Sequence, residues 1–320
     1  MTTKNYYKDQ QAWRDLQEFL PERLRLTDAT APEEDFWDWN GHTIHLDRYR
    51  NPDAKAKVVL HHGVGTNGRQ MTLILGAPLA ALGYEVVAVD NLGYGMTAVK
   101  PGTNPDYNDW VNMVVDFLAF EKTRDTRPIV LYGLSAGGML TYHTAAAAPK
   151  GMLAGIVGMT FLDERVPQVR DDTAHDLLTA RIGAPLMALA ARTHLGAKKY
   201  PMSLASKMSA LANDPSAMKV FMKDKTSAAN AMSIRFLDSY MNYAPAVEPA
   251  DFDACPVLLT QPAEDRWSPR PLSTPVLSKI TKVPVEEVSL ENAGHYPLED
   301  PGLQQMVAAI ADFTDRVTAA

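Results

Sequence analysis

Ser135 lies in the sequence GLSAG of residues 133–137, directly after an apolar run. Glycines two positions before and after a serine suit a tight turn from a strand into a helix, because only small residues let the two elements approach closely. Such a turn exposes the hydroxyl and places the next backbone N–H at a helix N-terminus, where partial positive charge favours an anion. The spacing therefore indicates a nucleophilic serine, and the alternative is a serine that only caps the helix.

A serine hydroxyl is a weak nucleophile at its ordinary pKa, so it needs a base, and the base needs an acid that orients it. In PVLLTQPAEDRWSP, residues 256–269, an apolar strand pattern is followed by Glu264 and Asp265. In VSLENAGHYPLED, residues 288–300, His295 follows another strand pattern. Taken singly, Asp265 has an alternative as a helix cap and His295 as a structural histidine. Functional groups of open α/β sheets lie beyond the C-terminal ends of strands, however, and all three residues fall there.

A glycine-rich segment, HHGVGTNGR of residues 61–69, also follows an apolar run. Its backbone N–H groups, together with that of Ala136, are suited to binding a developing oxyanion. A phosphate-binding loop is disfavoured, because the GxGxxG spacing is absent and no Gly-Lys-Ser/Thr follows. The adjacent His61 and His62 are poorly spaced to chelate one ion, and HxxxH and CxxC patterns are absent from the sequence. We therefore predict neither a metal site nor a cofactor.

The elements that must position these residues alternate along the chain. Residues 36–50 predict a hairpin around Asn40-Gly41, a common turn pair. Further strand patterns lie at 57–63, 84–90, 128–133, 152–159, 256–261 and 285–290, and helical patterns lie at 71–82, 109–122, 135–148 and 303–317. Strands that are apolar throughout and alternate with helices predict an α/β fold, with a mostly parallel sheet covered by helices on both faces.

The alternation stops in residues 161–249, which are rich in Ala, Met and Leu and contain no convincing strand pattern. We interpret this segment as a helical cap inserted between two core strands. Its methionines are suited to an adaptable apolar pocket or to packing within the cap. Residues 1–33 are interpreted as a helical, charged lead-in, and residues 34–160 and 250–320 as the core.

Composition narrows the class of protein. The chain has 320 residues, an apolar fraction of 46% and a net charge of −7, which is enough apolar material for a sizeable core. Mild acidity without a dense Lys/Arg tract argues against nucleic-acid binding. Cys255 is the single cysteine, so no intramolecular disulfide forms. The polar start and the lack of a long apolar stretch predict a cytoplasmic protein without a transmembrane segment.

The motifs together resemble the α/β-hydrolase superfamily, and they follow its order along the chain. HHGVG is similar to the family's His-Gly oxyanion segment, DNLGYG of residues 90–95 to its Asp-x-x-Gly-x-Gly segment, and GLSAG to its nucleophile elbow. PVLLTQPAEDRWSP and AGHYPLE are similar to the segments of the catalytic acid and histidine. The resemblance implies an α/β-hydrolase fold in which the insertion is a cap that shapes the acyl pocket.

Position by position, the resemblance implies a catalytic triad. Ser135 corresponds to the nucleophile, His295 to the general acid/base, and Asp265 to the orienting acid, with Glu264 as the alternative acid. A serine at position 135 argues against the dehalogenase and epoxide-hydrolase branches, which use a carboxylate nucleophile.

The resemblance also implies an oxyanion hole and a pocket. The backbone N–H groups of Val64 and Ala136 correspond to the oxyanion donors. Trp267, Tyr94 and Met159 are expected to line the substrate pocket, with packing as the alternative for Trp267.

The implied activity is hydrolysis of carboxylic esters through an acyl-enzyme, in an esterase or monoacylglycerol-lipase-like enzyme. The expected partner is a small-molecule ester or acyl compound, and a homodimer is compatible with the sequence. An acyltransferase or a thioesterase would use the same residues. A ligand-binding protein of the same fold without turnover is a further alternative, because fold does not fix function.

Overall fold

The computed structural model of the protein describes residues 4–319. Residues 1–3 of the predicted lead-in and residue 320 of the predicted core lie outside the described residues. The strands are β1 (Glu33–Trp39), β2 (His42–Tyr49), β3 (Lys57–His61), β4 (Glu85–Val89), β5 (Ile129–Gly133), β6 (Gly155–Gly158), β7 (Lys199–Pro201), β8 (Ala231–Ser233), β9 (Val257–Pro262) and β10 (Val285–Leu290).

Eight of these strands form one sheet in the order β1-β2-β4-β3-β5-β6-β9-β10. The six strands from β4 to β10 in this order run parallel to one another, and β2 joins them antiparallel through β4. β3, β4, β5, β6 and β9 are buried along their whole length, as their continuous apolar sequences require. The prediction of a mostly parallel sheet is confirmed.

The first two strands form the predicted hairpin. Trp39 pairs with His42 across the turn, and the two turn residues Asn40 and Gly41 both have positive φ, 50° and 84°. Asn and Gly are the residues that adopt this conformation most readily, so the turn follows from the sequence.

Helices cover both faces of the sheet. The α-helices are α1 (Ala12–Leu16), α2 (Gly68–Met71), α3 (Ala77–Ala81), α4 (Tyr107–Arg124), α5 (Ala136–Ala147), α6 (Pro167–Thr173), α7 (Ala184–Ala191), α8 (Met202–Ala205), α9 (Pro215–Phe221), α10 (Ile234–Met241), α11 (Thr274–Leu277) and α12 (Gly302–Thr318). Two π-helical turns, Thr72–Gly76 and Thr179–Gly183, lead into α3 and α7. The predicted helices at 109–122, 135–148 and 303–317 correspond to α4, α5 and α12. Among residues 4–319, none of the helices combines the length and apolarity that crossing a membrane requires.

Residues 161–249, called the inserted segment below, connect the parallel strands β6 and β9. This segment contains the helices α6 to α10 and the strands β7 and β8, which pair antiparallel. The expectation that it contains no strand is therefore wrong at two places. Each strand has only three residues, which is too short for an alternating pattern to be visible in the sequence.

A buried polar network ties the N-terminal residues to the sheet. The hydroxyl of Tyr7 donates to Asp90 at 2.9 Å. His45 lies between two acids, with Nε2 at 2.8 Å from Glu34 and Nδ1 at 3.0 Å from Asp90. Burial alone would lower the pKa of His45, but its hydrogen bonds to the two carboxylates outweigh burial and raise this pKa to about 9. His45 is therefore a buried cation at neutral pH.

Candidate active site

The turn between β5 and α5 carries Ser135. Its φ is 56°, a left-handed conformation that is rare outside glycine and costly unless the surroundings enforce it. The neighbouring glycine is required by packing, because a Cβ on Gly133 would overlap the carbonyl oxygen of Gly137. The GLSAG sequence thus forms the strained strand-to-helix turn that its spacing predicts, and Ser135 stands at the N-terminal end of α5.

The loop after β3 runs directly beside this turn. A Cβ on Gly63 would lie 2.9 Å from the Cβ of Ser135 and 3.3 Å from the nitrogen of Ala136, so glycine is needed for this approach. Within residues 4–319, the backbone N–H groups of Val64 and Ala136 donate to no other protein group. Two N–H donors next to a serine hydroxyl are what an anion-binding site requires.

A neutral histidine holds this loop in shape. His62 Nδ1 lies 2.7 Å from the carbonyl oxygen of Gly63, and the backbone N–H of Asn91 donates to His62 Nε2 at 2.9 Å. Burial lowers the pKa of His62, so the ring donates through Nδ1 and accepts through Nε2. Tyr94, expected to line the pocket, is buried and donates its hydroxyl to the carbonyl oxygen of Val64 at 2.7 Å. This hydrogen bond helps to hold the loop after β3 in its conformation.

The loop after β9 brings an acid to the histidine. Asp265 Oδ2 lies 2.9 Å from His295 Nδ1, and Asp265 Oδ1 accepts the backbone N–H groups of Trp267 and Ser268, both at 2.8 Å. Burial alone would raise the pKa of Asp265, but the charge and hydrogen bond of His295 and the two N–H donors outweigh burial and lower it. Asp265 is therefore ionised. The side chain of Glu264 is exposed and forms no hydrogen bond to His295.

Ser268 joins the same pair and was not identified from the sequence. Its hydroxyl lies 3.0 Å from Asp265 Oδ2 and 2.9 Å from His295 Nδ1. The pattern Asp-x-x-Ser in DRWS is typical of a turn in which an aspartate accepts from the following backbone, and this pattern was the available signal.

The second ring nitrogen of the histidine is unsatisfied. His295 Nε2 is buried and has no hydrogen-bond partner among the described residues, so no direct hydrogen bond joins it to Ser135. Catalytic hydrogen bonds of this kind often tighten only when substrate is bound. The ring of Trp267 lies 4.7 Å from the His295 ring, centroid to centroid, and covers it.

Ser135 and Val64 line a cavity of about 60 Å³. Trp267 lines this cavity, whereas Tyr94 does not. Met159 is also absent from its wall, because it lies in the core with its sulfur 3.3 Å from the hydroxyl of Tyr132. Most of the wall comes from the inserted segment, including Leu162, Ala180, Ala184, Met187, Met202, Leu237 and Met241. The serine thus faces a mainly apolar space.

One group of side chains has the spacing of a metal site. Among the described residues, Glu34, His45 and Asp47 could bring three ligand atoms together. Arg69 already binds Asp47 through Nε at 2.6 Å. The acidic neighbours of His45 raise its pKa, and the protonated ring has no lone pair for a metal ion. Because cationic side chains already balance these acids, the group fits a structural network better than a metal site.

Comparison with known proteins agrees with this fold. A model of the alpha/beta hydrolase family matches residues 58–309. A soluble variant of monoglyceride lipase from Saccharomyces cerevisiae has a similar structure, with a TM-score of 0.73, 17% identity, and coverage of 93% of this chain and 98% of that chain. The sequence matches no curated protein significantly.

Two further solved structures are similar over most of their length. Monoacylglycerol lipase from Paleococcus ferrophilus has a TM-score of 0.64, 18% identity, and coverage of 86% of this chain and 98% of that chain. A lipase in an open form has a TM-score of 0.68, 22% identity, and coverage of 90% of this chain and 99% of that chain. At identities this low, the structural similarity to the three lipases shows a shared fold alone.

Proposed function

The chain belongs to the alpha/beta hydrolase family, and from this premise we propose that it hydrolyses carboxylic esters with Ser135 as nucleophile. In this proposal His295 is the general acid/base and Asp265 the acid that orients it. The inserted segment acts as a cap over the substrate. The lipase names of the three similar structures agree with a hydrolase of acyl compounds.

The first half of the reaction forms an acyl-enzyme. His295 Nε2 removes the proton of Ser135 as the hydroxyl oxygen attacks the ester carbonyl. The backbone N–H groups of Val64 and Ala136 stabilise the resulting oxyanion, an effect of about 3 kcal/mol for one donor in related sites. Collapse of this intermediate breaks the bond to the alcohol, which leaves with the proton from His295.

The second half releases the acid. Water gives a proton to His295 and attacks the acyl carbonyl, and a second tetrahedral intermediate collapses to the carboxylic acid and Ser135. Asp265 accepts from His295 Nδ1 at 2.9 Å throughout, which keeps Nε2 directed away from the acid and stabilises the imidazolium.

The observation that carries the proposal is the position of Ser135 on a strained turn in the wall of an apolar cavity. A structural cap would need neither the left-handed backbone nor a cavity, and the side chain of Ser135 accepts no capping hydrogen bond. Backbone strain is retained where the surrounding structure enforces it, often at functional sites. The buried Nε2 of His295, which has no hydrogen-bond partner among residues 4–319, adds support because it offers a proton acceptor.

The test measures initial rates with p-nitrophenyl esters from acetyl to palmitoyl for the wild type, Ser135→Ala and Ser278→Ala. Ser278 is exposed and bonds only within α11 and its end, so its variant is a matched control. We expect a preferred chain length in the wild type and the control, and loss of nearly all turnover in Ser135→Ala. A fluorophosphonate probe should also modify Ser135, as identified by peptide mass spectrometry. Hydrolysis that survives in Ser135→Ala contradicts the proposal.

A further inference from the structure

A carboxyl group from the inserted segment lies in the wall of the same cavity. Glu164 is buried, with 8% of its surface exposed, and lines the cavity together with Ser135. The hydroxyl oxygen of Thr173 lies 3.1 Å from each carboxyl oxygen of Glu164, and the hydroxyl of Tyr240 lies 3.5 Å from one of them. The rest of the wall is mainly apolar, so these three side chains form one polar corner.

Among the described residues, this carboxyl group bonds to hydroxyl groups and to no cationic side chain. Among the described residues that line the cavity, Arg170 is the one cation, and it is engaged elsewhere. Its Nε donates to the backbone oxygen of Glu164 at 3.0 Å and its Nη2 to that of Met241 at 3.0 Å. Burial raises the pKa of Glu164 to about 7, although the hydrogen bond from Thr173 and the charge of Arg170 oppose this effect. The group is therefore substantially protonated near neutral pH.

The corner can accept a hydrogen bond from a ligand. The hydroxyl of Thr173 carries one proton, and its oxygen also lies 2.9 Å from the carbonyl oxygen of Val169 on the preceding turn. When Thr173 donates that proton to Val169, its oxygen accepts from a protonated Glu164. One carboxyl oxygen of Glu164 then still has lone pairs for an incoming donor. The oxygens of Glu164, Thr173 and Tyr240 bond to one another, and a carboxyl oxygen with a spare lone pair in an apolar cavity can accept a further hydrogen bond from a ligand.

We propose that Glu164, with Thr173 and Tyr240, is a subsite that binds a hydroxyl group of the substrate at a distance from the ester carbonyl. A ligand hydroxyl can donate to the spare lone pair of the Glu164 carboxyl oxygen. An ammonium group would need an ionised carboxylate and further acceptors, which the apolar wall does not offer. The inference rests on the proposed ester hydrolysis and specifies the class of ester, one that carries a hydroxyl on its acyl or its alcohol part.

The test compares matched pairs of esters that differ only in a terminal hydroxyl. Methyl 6-hydroxyhexanoate and methyl hexanoate place the difference on the acyl part, and 6-hydroxyhexyl acetate and hexyl acetate place it on the alcohol part. Release of acid is followed in a pH-stat for the wild type, Glu164→Leu and Glu164→Gln. We expect the wild type to prefer the hydroxylated ester of one pair by about tenfold or more in kcat/KM, because an unfilled polar site disfavours the other ester. The pair that shows this preference identifies the part of the substrate in the cavity.

The variants connect the preference to the carboxyl group. Glu164→Leu should bring the two esters of that pair to nearly equal kcat/KM, and Glu164→Gln should retain part of the preference because its amide also donates and accepts. Met187→Leu, an apolar change in the same wall, is the control and should keep the wild-type ratio. Equal rates within both pairs for the wild type, or an unchanged ratio in Glu164→Leu, overturn the inference. Faster hydrolysis of methyl 6-aminohexanoate than of its hydroxyl analogue also overturns it.

A binding measurement keeps the inference separate from the proposed reaction. Ser135→Ala is titrated with 1-hexanol and with 1,6-hexanediol, with the change in intrinsic tryptophan fluorescence as the readout, since Trp267 of the five tryptophans lies in the cavity wall. We expect tighter binding of the diol, and loss of this difference when Glu164→Leu is added. If the wild type hydrolyses none of the esters, the proposed function fails while this titration still tests the subsite. Equal affinity for the two alcohols, or no binding of either, overturns the subsite.

Discussion

The indole ring of Trp267 covers the imidazole ring of His295 at a centroid distance of 4.7 Å, while the indole N–H donates to the carbonyl oxygen of Thr173 at 3.1 Å. Thr173 lies in the inserted segment and His295 in the loop after β10. The side chain of Trp267 therefore shields the proposed base from water and also connects the inserted segment to it through the hydrogen bond to Thr173.

Trp267 should contribute to activity through this cover. Trp267→Phe keeps an aromatic ring against His295 but loses the hydrogen bond to Thr173, whereas Trp267→Ala loses both. We expect kcat/KM to fall about threefold in Trp267→Phe and about a hundredfold in Trp267→Ala, because small losses of alignment at a reacting group cost this much. Initial rates with the p-nitrophenyl ester that the wild type prefers give kcat/KM for both variants. Equal losses in the two variants would assign the role to the hydrogen bond alone.

Two adjacent acids separate the proposed triad from its alternative. Asp265 is buried and bound to His295, and Glu264 is exposed. Asp265→Asn should lower kcat by about 10⁴, because an asparagine favours the wrong tautomer of the histidine. Glu264→Gln should leave kcat within a factor of about two, since a surface change of this type disturbs little. Circular dichroism of both variants verifies that the fold is retained. A large loss in Glu264→Gln would reverse the assignment.

Ser268 should orient the histidine without reacting. Its hydroxyl contacts both Asp265 and His295, so Ser268→Ala removes one hydrogen bond to a charged group, a change of roughly 1.5–3 kcal/mol. We expect kcat/KM to fall by about tenfold or more and the acid limb of its pH profile to shift, while the melting temperature falls by several degrees because the same hydrogen bond stabilises the fold. Ser268→Thr, which keeps the hydroxyl, should recover activity. Loss of stability without a shift in the pH profile would indicate a purely structural role.

The sequence was most informative where function depends on strand ends. Ser135, Asp265 and His295 each follow a strand pattern, and parallel strands bring their C-terminal ends to one edge of the sheet. Ser268 and Glu164 were not identified from the sequence. The contacts of Ser268 depend on how the turn after β9 folds, and those of Glu164 on how the inserted segment folds. Those long-range contacts leave no periodic pattern in the chain.

Two residues that were expected to line the pocket do not line the cavity, for a similar reason. Tyr94 and Met159 both lie near expected functional segments, but proximity in sequence does not fix the direction of a side chain. Tyr94 turns toward the carbonyl oxygen of Val64, and Met159 turns into the core. The two short strands of the inserted segment were missed because three residues cannot show an alternation.

The buried network around His45 should make stability fall as the pH rises. The pKa of His45 is raised to about 9 in the folded protein, against about 6.5 in an unfolded chain. Stability from this group is therefore fully present below about pH 6.5 and is lost as the pH rises through 9, by on the order of 3 kcal/mol. The free energy of unfolding, measured with urea at several pH values between 6 and 9.5, should show this decrease.

The variant His45→Asn isolates the effect. Asp90 keeps its hydrogen bonds from Tyr7 and from the backbone N–H groups of Gly68 and Met96, so the site remains largely satisfied. The variant should be less stable at pH 6.5 and should show a flatter dependence above it. If its stability falls with pH as steeply as in the wild type, another group is responsible.

The helix that lines the cavity also has an apolar outer face. Leu178, Leu186 and Leu189 are 67%, 62% and 65% exposed, whereas Ala184 and Met187 of the same helical stretch line the cavity. Replacing all three leucines by glutamine removes apolar surface from contact with water, since none of them is buried in the protein. We expect a melting temperature within about 2 °C of the wild type, because exposed positions contribute little to stability. Retention on a hydrophobic-interaction column should be much weaker.

Leu237→Gln in the cavity wall, where the leucine is 4% exposed, is the opposite control and should lower the melting temperature clearly. A large destabilisation by the outer substitutions would mean that this face packs against protein in solution.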